Sequence, residues 1–470
     1  MLQRCAIVLD VGKTNAKLTL WDMRGRQLQR RVRVNDVTQT GSHRTLDTQG
    51  IENWLAATLR EYATCGDVGA IIPVGHGAAA ALVREGRLFA APLDYEEHVD
   101  ALEREHYESQ RDEFRSTGSP SLPQGLNLGV QLHRLEGLTG PWPEDLCIVP
   151  WPQYWAWRLS GVMASEVTSL GCHSDLWNPI AGKYSALAQR RGWAQRLAPL
   201  RPAAEPLGGL TPEWASRTGL PQDCVVLCGL HDSNAALLAA RGHPEIRDHD
   251  ATVLSTGTWF VAMRSPAAGT RLDVSALDEQ RDCLINVDVE GRPVPSARFM
   301  GGREAELIGN VDIHALTENY DPDRLFSRLP ALLARGVAAL PTFARSFGPY
   351  PTAVGAWRNK PEDPGDQRAI AGLYLALMAN ACLDLIGSRD RLLVEGRFAE
   401  AVIFVRALAQ LRPTQRVFIS NAHDDVPYGA LRLLDPSLPP SSPLKPVEPL
   451  ALDFSEYARQ WREHAARSAG

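Results

Sequence analysis

An aspartate, a glycine and several hydroxyl and amine side chains come together near the start of the chain, in the segment 10–17, which reads DVGKTNAK. Gly12 allows a tight hairpin whose backbone N–H groups can approach a phosphate closely. Asp10, at the end of a predicted strand, could hold Mg²⁺ through water, because this ion favours one or two carboxylates plus phosphate oxygens. An ordinary hairpin turn would explain this segment, taken alone, equally well. The candidate phosphate-binding residues are Gly12, Lys13, Thr14, Asn15 and Lys17.

The segment STGT at 255–258 repeats this chemistry in the second half of the chain. It follows a predicted buried strand and places hydroxyls and a glycine at a turn between two strands. Serine–glycine turns are common, so the segment is weak evidence alone and becomes informative as a second copy. Two such hairpins, one from each half, could clamp a triphosphate in a cleft between them. The candidate phosphate-binding residues here are Thr256, Gly257 and Thr258.

The segment GLHDSN at 229–234 ends a predicted strand and opens a helix rich in alanine and leucine. An aspartate at the carboxyl end of a strand is well placed to accept a proton from an attacking hydroxyl. Asp232 is therefore the candidate general base. Capping of the following helix is a frequent role of aspartate and explains the same position. Spacing alone does not separate the two roles, and a capping geometry does not exclude catalysis.

The elements that must position these residues follow from the hydrophobic pattern. Residues 5–9, 16–21 and 27–34 read as strands, a helix with apolar spacing follows over 51–63, and 70–74 reads as a buried strand. Strands followed by alternating helices and strands indicate an α/β fold with a mixed sheet. Because 470 residues exceed one ordinary domain, we expect two, 1–242 and 243–470, with the change just before a new strand at 251–254.

The composition of the chain favours some classes of protein and argues against others. Hydrophobic residues make up 44% and charged residues 22% of the chain, as in globular proteins with sizeable cores. The net charge of -6 and the lack of basic clusters argue against nucleic-acid or anionic-membrane binding. Eight cysteines, of which only Cys224 and Cys228 are close in sequence, make a zinc site an unfavoured interpretation. No apolar run reaches membrane-spanning length, so we expect a cytoplasmic protein. A homodimer is a common outcome for such chains.

The order of the three chemical segments resembles that of the FGGY carbohydrate kinases, of the actin/hexokinase/heat-shock ATPase superfamily. Further segments resemble those of the family over nearly the whole chain. They are TGSP at 117–120 with QL at 131–132, WRLSG at 157–161, GGLTP at 208–212 and TGLP at 218–221. The segments VGHG at 74–77, PLDY at 92–95 and STGTW at 255–259 are similar to the rhamnulokinase-like branch.

The resemblance implies two ribonuclease H-like (actin-like ATPase) domains with an interdomain cleft, and an ATP-dependent transfer of phosphate to a small sugar. It implies ATP and Mg²⁺, sugar contacts from His76, Gly77, His231 and Asp232, and nucleotide contacts near Gly302 and Gly396. The first domain would carry the sugar site and Asp232, and the second the adenosine site. By resemblance alone, the expected substrate is a ketose: L-rhamnulose, L-fuculose or a xylulose-like pentulose, in that order.

Some segments depart from the family. The adenosine segment VEGRF at 394–398 has one glycine where the family usually has a run of them, and Glu395 and Arg397 would crowd the nucleoside. Residues 421–423 also differ from the typical helix start, and 435–448 form a proline-rich connector. A non-catalytic sugar or nucleotide sensor on the same fold is therefore an alternative. A chaperone-type or actin-type ATPase is disfavoured by chain length and by the His231-Asp232 pair.

Overall fold

The computed structural model describes residues 3–309, 321–420 and 425–469. Within these residues the chain forms two compact units. The first contains residues up to Gly242 together with Ile285–Pro293 and 425–441, and the second contains the remainder. The observations at 421–423 lie outside the described residues.

The first unit is built on a mixed sheet whose strands follow the hydrophobic runs of the sequence. Its strands and those of its smaller sheets are β1 Arg4–Val11, β2 Asn15–Asp22, β3 Gln27–Val34, β4 Val37–Thr40, β5 His43–Leu46, β6 Asp67–Gly75, β7 Ala80–Arg84, β8 Arg87–Ala90, β9 Cys147–Pro150, β10 Trp177–Asn178, β11 Lys183–Tyr184, β12 Pro206–Gly208, β13 Val225–Leu227 and β14 Leu230–His231. The main sheet has the order β12-β13-β6-β1-β2-β3, and β14 pairs with β6. The buried strand residues pack on both faces of this sheet.

Helices cover the first sheet and fill the connections between its strands. They are Thr48–Tyr62, Ala101–Glu108, Phe114–Thr117, Leu128–Thr139, Trp151–Ser160, Val167–Leu170, Ala186–Arg190, Trp193–Arg196, Pro212–Thr218, Asp232–Ala240 and Asp425–Leu431. Thr48–Tyr62 begins at Asp47, whose side chain accepts a hydrogen bond from Gly50 N, and buries one apolar stripe.

The second unit repeats this design. Its sheets contain β15 Ala251–Thr256, β16 Phe260–Ser265, β17 Cys283–Val287, β18 Pro293–Phe299, β19 Ala338–Leu340, β20 Ala356–Arg358, β21 Arg391–Gly396, β22 Arg416–Ile419 and β23 Lys445–Pro446. Residues 285–287 of β17 and Pro293 of β18 are grouped with the first unit. The main sheet has the order β17-β18-β16-β15-β21-β22-β23. In both units an antiparallel hairpin (β1–β2 or β15–β16) has a strand parallel to its first member (β6 or β21). This shared arrangement agrees with the predicted fold class of two ribonuclease H-like units.

The helices of the second unit are Pro244–Arg247, Gly301–Gly309, Pro322–Ala334, Pro364–Leu385, Val402–Leu411 and Ser455–Ala469, with short 3₁₀ turns at Val274–Ala276, Glu279–Arg281 and Arg397–Glu400. Of the helices in the described ranges, Pro364–Leu385 alone is long and apolar enough to cross a membrane by length and composition. However, 83% of its apolar window is buried inside the fold, as expected of a core helix.

The division into units differs from the predicted domains 1–242 and 243–470 in two segments. Helix Asp425–Leu431 packs against helix Asp232–Ala240 so closely that a Cβ on Gly429 would lie 1.7 Å from Ala235 O. The Tyr428 ring also meets Trp21 edge-on, with the ring centres 5.9 Å apart. This packing groups 425–441, and with it much of the proline-rich connector, with the first unit. The functional roles assigned to the two domains stay a prediction.

Candidate active site

Three parallel strands of the first unit bring the predicted acidic residues to one edge of its sheet. In the pairing of β1 with β6, Asp10 lies opposite Val74 and Val11 opposite Gly75. In the pairing of β14 with β6, His231 also lies opposite Gly75. Asp10 and His231-Asp232 therefore flank the same end of β6, where carboxyl ends of parallel strands present side chains to a ligand.

The two oxygens of the Asp232 carboxylate have different surroundings. Oδ1 accepts hydrogen bonds from Ser233 N (2.6 Å) and Ser233 Oγ (3.2 Å), and His231 Nε2 lies 3.4 Å away. Among the described residues, none donates a hydrogen bond to Oδ2. The Asp232 side chain keeps 31% of its exposure. Loss of water around it raises the pKa of Asp232, while the bonds from Ser233 oppose this rise. Asp232 is the first residue of helix Asp232–Ala240, but the N-cap position is held by His231 and no side chain caps this end. The capping alternative is therefore not observed, and one carboxylate oxygen stays available for proton acceptance.

His231 is fixed from two sides. The Asn234 amide nitrogen lies 3.4 Å from His231 Nδ1, and His231 Nε2 faces Asp232. His231 N donates to Thr168 Oγ1 at 3.0 Å. The Thr168 hydroxyl in turn donates to the buried carboxylate of Glu166 at 2.5 Å. Burial lowers the pKa of His231 to about 4, so the imidazole is neutral near pH 7.

Asp10 has the chemistry of a magnesium-holding carboxylate. It is 5% exposed and lies 3.2 Å from Lys17 Nζ. Burial raises the pKa of Asp10 to about 6; Lys17 lowers it and the negative charge of Asp232 raises it further. In the described part of the chain, no three acidic, histidine or cysteine side chains form a group that could hold a metal. Two nearby carboxylates fit Mg²⁺, which keeps most of its waters and takes few protein ligands.

The first hairpin is closed by the backbone. Gly12 N donates to Asn15 O at 3.0 Å, Asn35 N donates to Thr14 O at 2.7 Å, and the Asn35 amide donates to Gly12 O at 2.9 Å. The Lys13 side chain, which was predicted to bind phosphate, contacts a carboxylate of the protein. Its Nζ forms an ion pair with the buried Asp94.

The histidine predicted to contact sugar lies in the same unit. His76 is 9% exposed, and neither of its ring nitrogens has a hydrogen-bond partner among the described residues. Tyr95 meets the His76 ring edge-on at 5.4 Å, and Trp151 lies 6.2 Å from it. Burial, followed by the nearby His231, lowers the pKa of His76 to about 3. A neutral imidazole with two unsatisfied nitrogens is suited to hydrogen bonds with a hydroxylated ligand.

Gly77 has a packing reason to be glycine. A Cβ at this position would lie 2.3 Å from Cys172 Sγ and 3.1 Å from the His231 ring. The glycine thus makes room for side chains of the protein itself. Its predicted role in admitting sugar to the backbone stays a prediction.

The predicted nucleotide residues of the second unit also meet at one end of a sheet. Gly257 N donates to Trp259 O at 3.0 Å, which closes the second hairpin, and Gly302 N donates to Thr258 O at 3.2 Å. Thr256 Oγ1 donates to Glu395 O at 2.6 Å and accepts from Phe398 N at 3.0 Å. The Thr256 hydroxyl therefore ties the hairpin to the end of β21.

Gly396 lies opposite Thr256 in the sheet and has a φ of +83°. A Cβ here would lie 2.3 Å from Thr256 O, so only glycine fits. The Glu395 side chain is 4% exposed and so is buried within its unit. We therefore revise the expectation that Glu395 crowds the nucleoside.

Several residues that the sequence did not single out contact the residues of this site. Glu166 is buried, and burial raises its pKa to about 7. Its carboxylate accepts Thr168 N at 2.9 Å and Ser169 N at 3.2 Å. The Lys13–Asp94 pair and Trp151, whose Nε1 donates to Val11 O at 3.0 Å, were also missed. The partners of Lys13 and Trp151 are distant in sequence, so no local signal reveals those two contacts.

Comparison with known proteins identifies the family. The family described as "Carbohydrate kinase FGGY, C-terminal domain" matches residues 248–442. A carbohydrate kinase from Novosphingobium aromaticivorans superposes with a TM-score of 0.94 and 52% identity, covering 98% of this chain and 100% of that one. A xylulose kinase from Rhodospirillum rubrum (TM-score 0.76, 18% identity, 99% and 98% covered) shares the fold. So does a glycerol kinase from Plasmodium falciparum with ADP (TM-score 0.74, 10% identity, 100% and 99% covered). No curated protein sequence matches the chain.

The 52% identity over both full lengths, the family match in the second half and the duplicated sheet lead to one assignment. The chain belongs to the FGGY carbohydrate kinases, a family of sugar phosphotransferases that use ATP as co-substrate.

Proposed function

We propose that this kinase transfers the γ-phosphate of ATP to a hydroxyl of a small ketose, with Asp232 as the general base. The observation that carries the proposal is the asymmetric carboxylate of Asp232. Ser233 donates two hydrogen bonds to Oδ1, and Oδ2 is left to accept the proton of the substrate hydroxyl. A general base must lie within hydrogen-bond reach of that proton, and a held carboxylate meets this requirement with little reorganisation.

Substrate recognition is assigned to His76 and to the neutral His231 beside the base. An imidazole without charge can donate one hydrogen bond and accept another, which suits the neighbouring hydroxyls of a polyol. Tyr95 and Trp151 supply apolar faces around His76. The ketose class, the rhamnulokinase-like branch and the preference for L-rhamnulose, L-fuculose or a xylulose-like sugar rest on sequence resemblance.

ATP would be bound through both hairpins. Gly12 N, Gly257 N and the Thr256 hydroxyl are engaged in bonds that close and anchor the two hairpins, so the phosphate contacts are assigned to Thr14, Asn15 and Thr258 beside them. Asp10, with Asp232 nearby, would hold Mg²⁺ through water, and the ion would supply charge neutralisation at the β- and γ-phosphates. Phosphoryl transfer depends mainly on positioning and charge stabilisation, so these residues form a sufficient set.

The test is ADP release with Mg-ATP across a panel of ketoses, aldoses and polyols. We expect one ketose to stimulate ADP release strongly in the wild-type enzyme. Asp232→Asn, which keeps the shape but removes the base, should lower turnover by about 10²- to 10⁴-fold while ATP binding persists. Asp223→Asn, on an exposed aspartate, is the matched control and should leave turnover unchanged.

Two outcomes would contradict the proposal. Near-normal turnover of Asp232→Asn would remove Asp232 from the role of base. If no compound of the panel stimulates ADP release by the wild-type enzyme while ATP still binds, the sensor alternative is favoured over the ketose kinase.

A further inference from the structure

A cavity of about 460 Å³ lies in the second unit, away from the hairpin Thr256–Thr258. Its walls come from the loop after β16, from the end of helix Pro364–Leu385 and from Arg462 of the last helix. β15 and β21 each run from this end of the sheet, at Ala251 and Arg391, to the hairpin end. At about 3.3 Å per residue, the strands separate the two ends by about 17 Å.

The cavity is lined by an excess of positive charge. Five arginines line it against two aspartates, Asp273 and Asp384. Asp384 forms an ion pair with Arg412, which lies outside the lining, and Asp273 accepts hydrogen bonds from Ser275 N and Oγ. The arginines are Arg264, Arg271, Arg281, Arg389 and Arg462.

Two of the arginines share a carboxylate of the protein. Arg264 is buried and donates to both oxygens of the buried Asp250, at 2.8 and 2.7 Å. It also donates to Ile386 O at 3.0 Å, at the end of helix Pro364–Leu385. Arg389 lies 3.7 Å from the same Asp250 carboxylate. The charges of these two arginines are therefore wholly or partly balanced within the fold.

The other three arginines have no carboxylate partner among the described residues. Arg281 donates through Nε to Pro349 O at 2.8 Å, and its guanidinium stands 5.6 Å from the centre of the Tyr350 ring. These contacts position the Arg281 side chain but do not neutralise its positive charge. Arg271 and Arg462 are exposed at the cavity walls, and neither forms a hydrogen bond or ion pair within the described ranges.

The end of helix Pro364–Leu385 does not account for this charge. A helix C-terminus carries a negative partial charge of roughly half an elementary charge. Three guanidinium groups without carboxylate partners exceed that several-fold, and Arg264 already satisfies one of the terminal carbonyls. Gathering like charges is unfavourable unless a counter-charge binds.

We infer that this cavity binds a small molecule that carries phosphate groups, at a site separate from that of phosphoryl transfer. Guanidinium groups bind phosphate through paired, charge-assisted hydrogen bonds, and a multivalent anion can satisfy several at once, whereas a carboxylate carries one charge. The cavity volume is within the range of small-molecule sites. Free polyphosphate and a sugar phosphate share this chemistry.

The test is isothermal titration calorimetry on the full-length protein, with pyrophosphate, a hexose bisphosphate and the uncharged hexose as probes. Titrations are made in the presence of saturating Mg²⁺ and a non-hydrolysable ATP analogue, so that the catalytic site is occupied. We expect a phosphate-bearing probe to bind and the uncharged hexose not to bind. The tighter of the two phosphate probes identifies polyphosphate or sugar phosphate as the ligand class.

The double variant Arg271→Gln/Arg462→Gln should weaken this binding at least tenfold. The matched control Arg324→Gln/Arg335→Gln removes two exposed arginines of the same unit that lie outside the cavity lining and should bind as the wild type does. Absence of phosphate-probe binding at millimolar concentration, or equal weakening in both double variants, would overturn the inference. So would binding that disappears when the ATP analogue is added.

Discussion

The proposed chemistry depends on the carboxylate of Asp232. Its Oδ1 accepts two hydrogen bonds from Ser233, whereas its Oδ2 is available to a ligand. Sequence reasoning identified Asp232 and left capping and catalysis open as alternatives. The structure shows why spacing could not decide, because the residue starts the helix and also faces the strand end. The hydroxyl of Ser233, one position later, opposes the rise in the pKa of Asp232.

Ser233→Ala should move the acidic limb of the pH profile of kcat/KM to higher pH. The bonds from Ser233 lower the pKa of Asp232, so losing the hydroxyl raises that pKa, and a base with a higher pKa is protonated at a higher pH. Ser233→Thr retains a hydroxyl and should restore the profile. Ser455→Ala, which removes a similar bond to Asp453 on the surface, is the control. An unshifted limb in Ser233→Ala would contradict the role of this bond.

Asp10→Asn should stabilise the metal-free protein more at pH 7.5 than at pH 4. The pKa of Asp10 is raised from its ordinary 3.8 to about 6, so the folded state favours the protonated form. The contribution of this group to stability therefore falls as pH rises from about 4 to about 6, and stays low above that. The difference amounts to about 3 kcal/mol at most.

Thermal unfolding at the two pH values measures this difference in the wild type and in Asp10→Asn. Asp223→Asn, on an exposed aspartate, is the control variant. The same Asp10→Asn substitution should impair Mg²⁺-dependent turnover. A gain in stability that is equal at both pH values would contradict the raised pKa.

At the scale of elements, the hairpins were the most predictable part of the site. The strands predicted at 5–9, 16–21 and 251–254 are β1, β2 and β15, each slightly longer because residues next to the turn also pair across the hairpin. The parallel pairing of β1 and β15 with β6 and β21 joins residues far apart in sequence, so no local pattern indicates its register. That pairing brings Asp10 opposite Val74 and Thr256 opposite Gly396.

Gly396→Ala should lower the free energy of unfolding by more than Gly269→Ala does. Both glycines have φ near +80°, so both substitutions carry the left-handed backbone cost of about 1–2 kcal/mol. A Cβ at Gly396 also meets Thr256 O, whereas nothing lies within 4 Å of a Cβ at Gly269. We expect a further loss of about 1–3 kcal/mol and weaker ATP binding in Gly396→Ala alone. Denaturant unfolding and calorimetry provide the measurements, and equal losses would contradict the close approach.

At the scale of the whole molecule, the same strand arrangement occurs twice in one chain. Length and the repeated chemical segments predicted two domains, and the change near Gly242 lies where a strand-poor stretch precedes β15. The grouping of 425–441 with the first unit was not predictable. Its apolar residues indicate a packed segment but do not indicate which unit it packs against. The predicted homodimer stays a prediction, which sedimentation of the purified protein would test.

Tyr428→Ala should destabilise the first unit, although residue 428 lies late in the chain. Tyr428 is 5% exposed and packs on Trp21 of β2, so truncation leaves a cavity at a cost of about 3–5 kcal/mol. Tyr428→Phe keeps the ring and loses only the hydroxyl that donates to Pro439 O, so about 1 kcal/mol should be lost. Denaturant unfolding followed by circular dichroism compares the two variants. Equal, small losses would place the residue outside that core.

The return of the chain to the first unit has a consequence for engineering chimeric kinases. A hybrid made with a single crossover near Gly242 would join the N-terminal sheet of one parent to the helix Asp425–Leu431 of the other. The close contacts of Gly429 with Ala235 and of Tyr428 with Trp21 would then have to form between residues of two different parents. A chimera that exchanges the first units of two kinases in this family therefore needs two further crossovers, one on each side of 425–441, so that this segment is inherited with the first half.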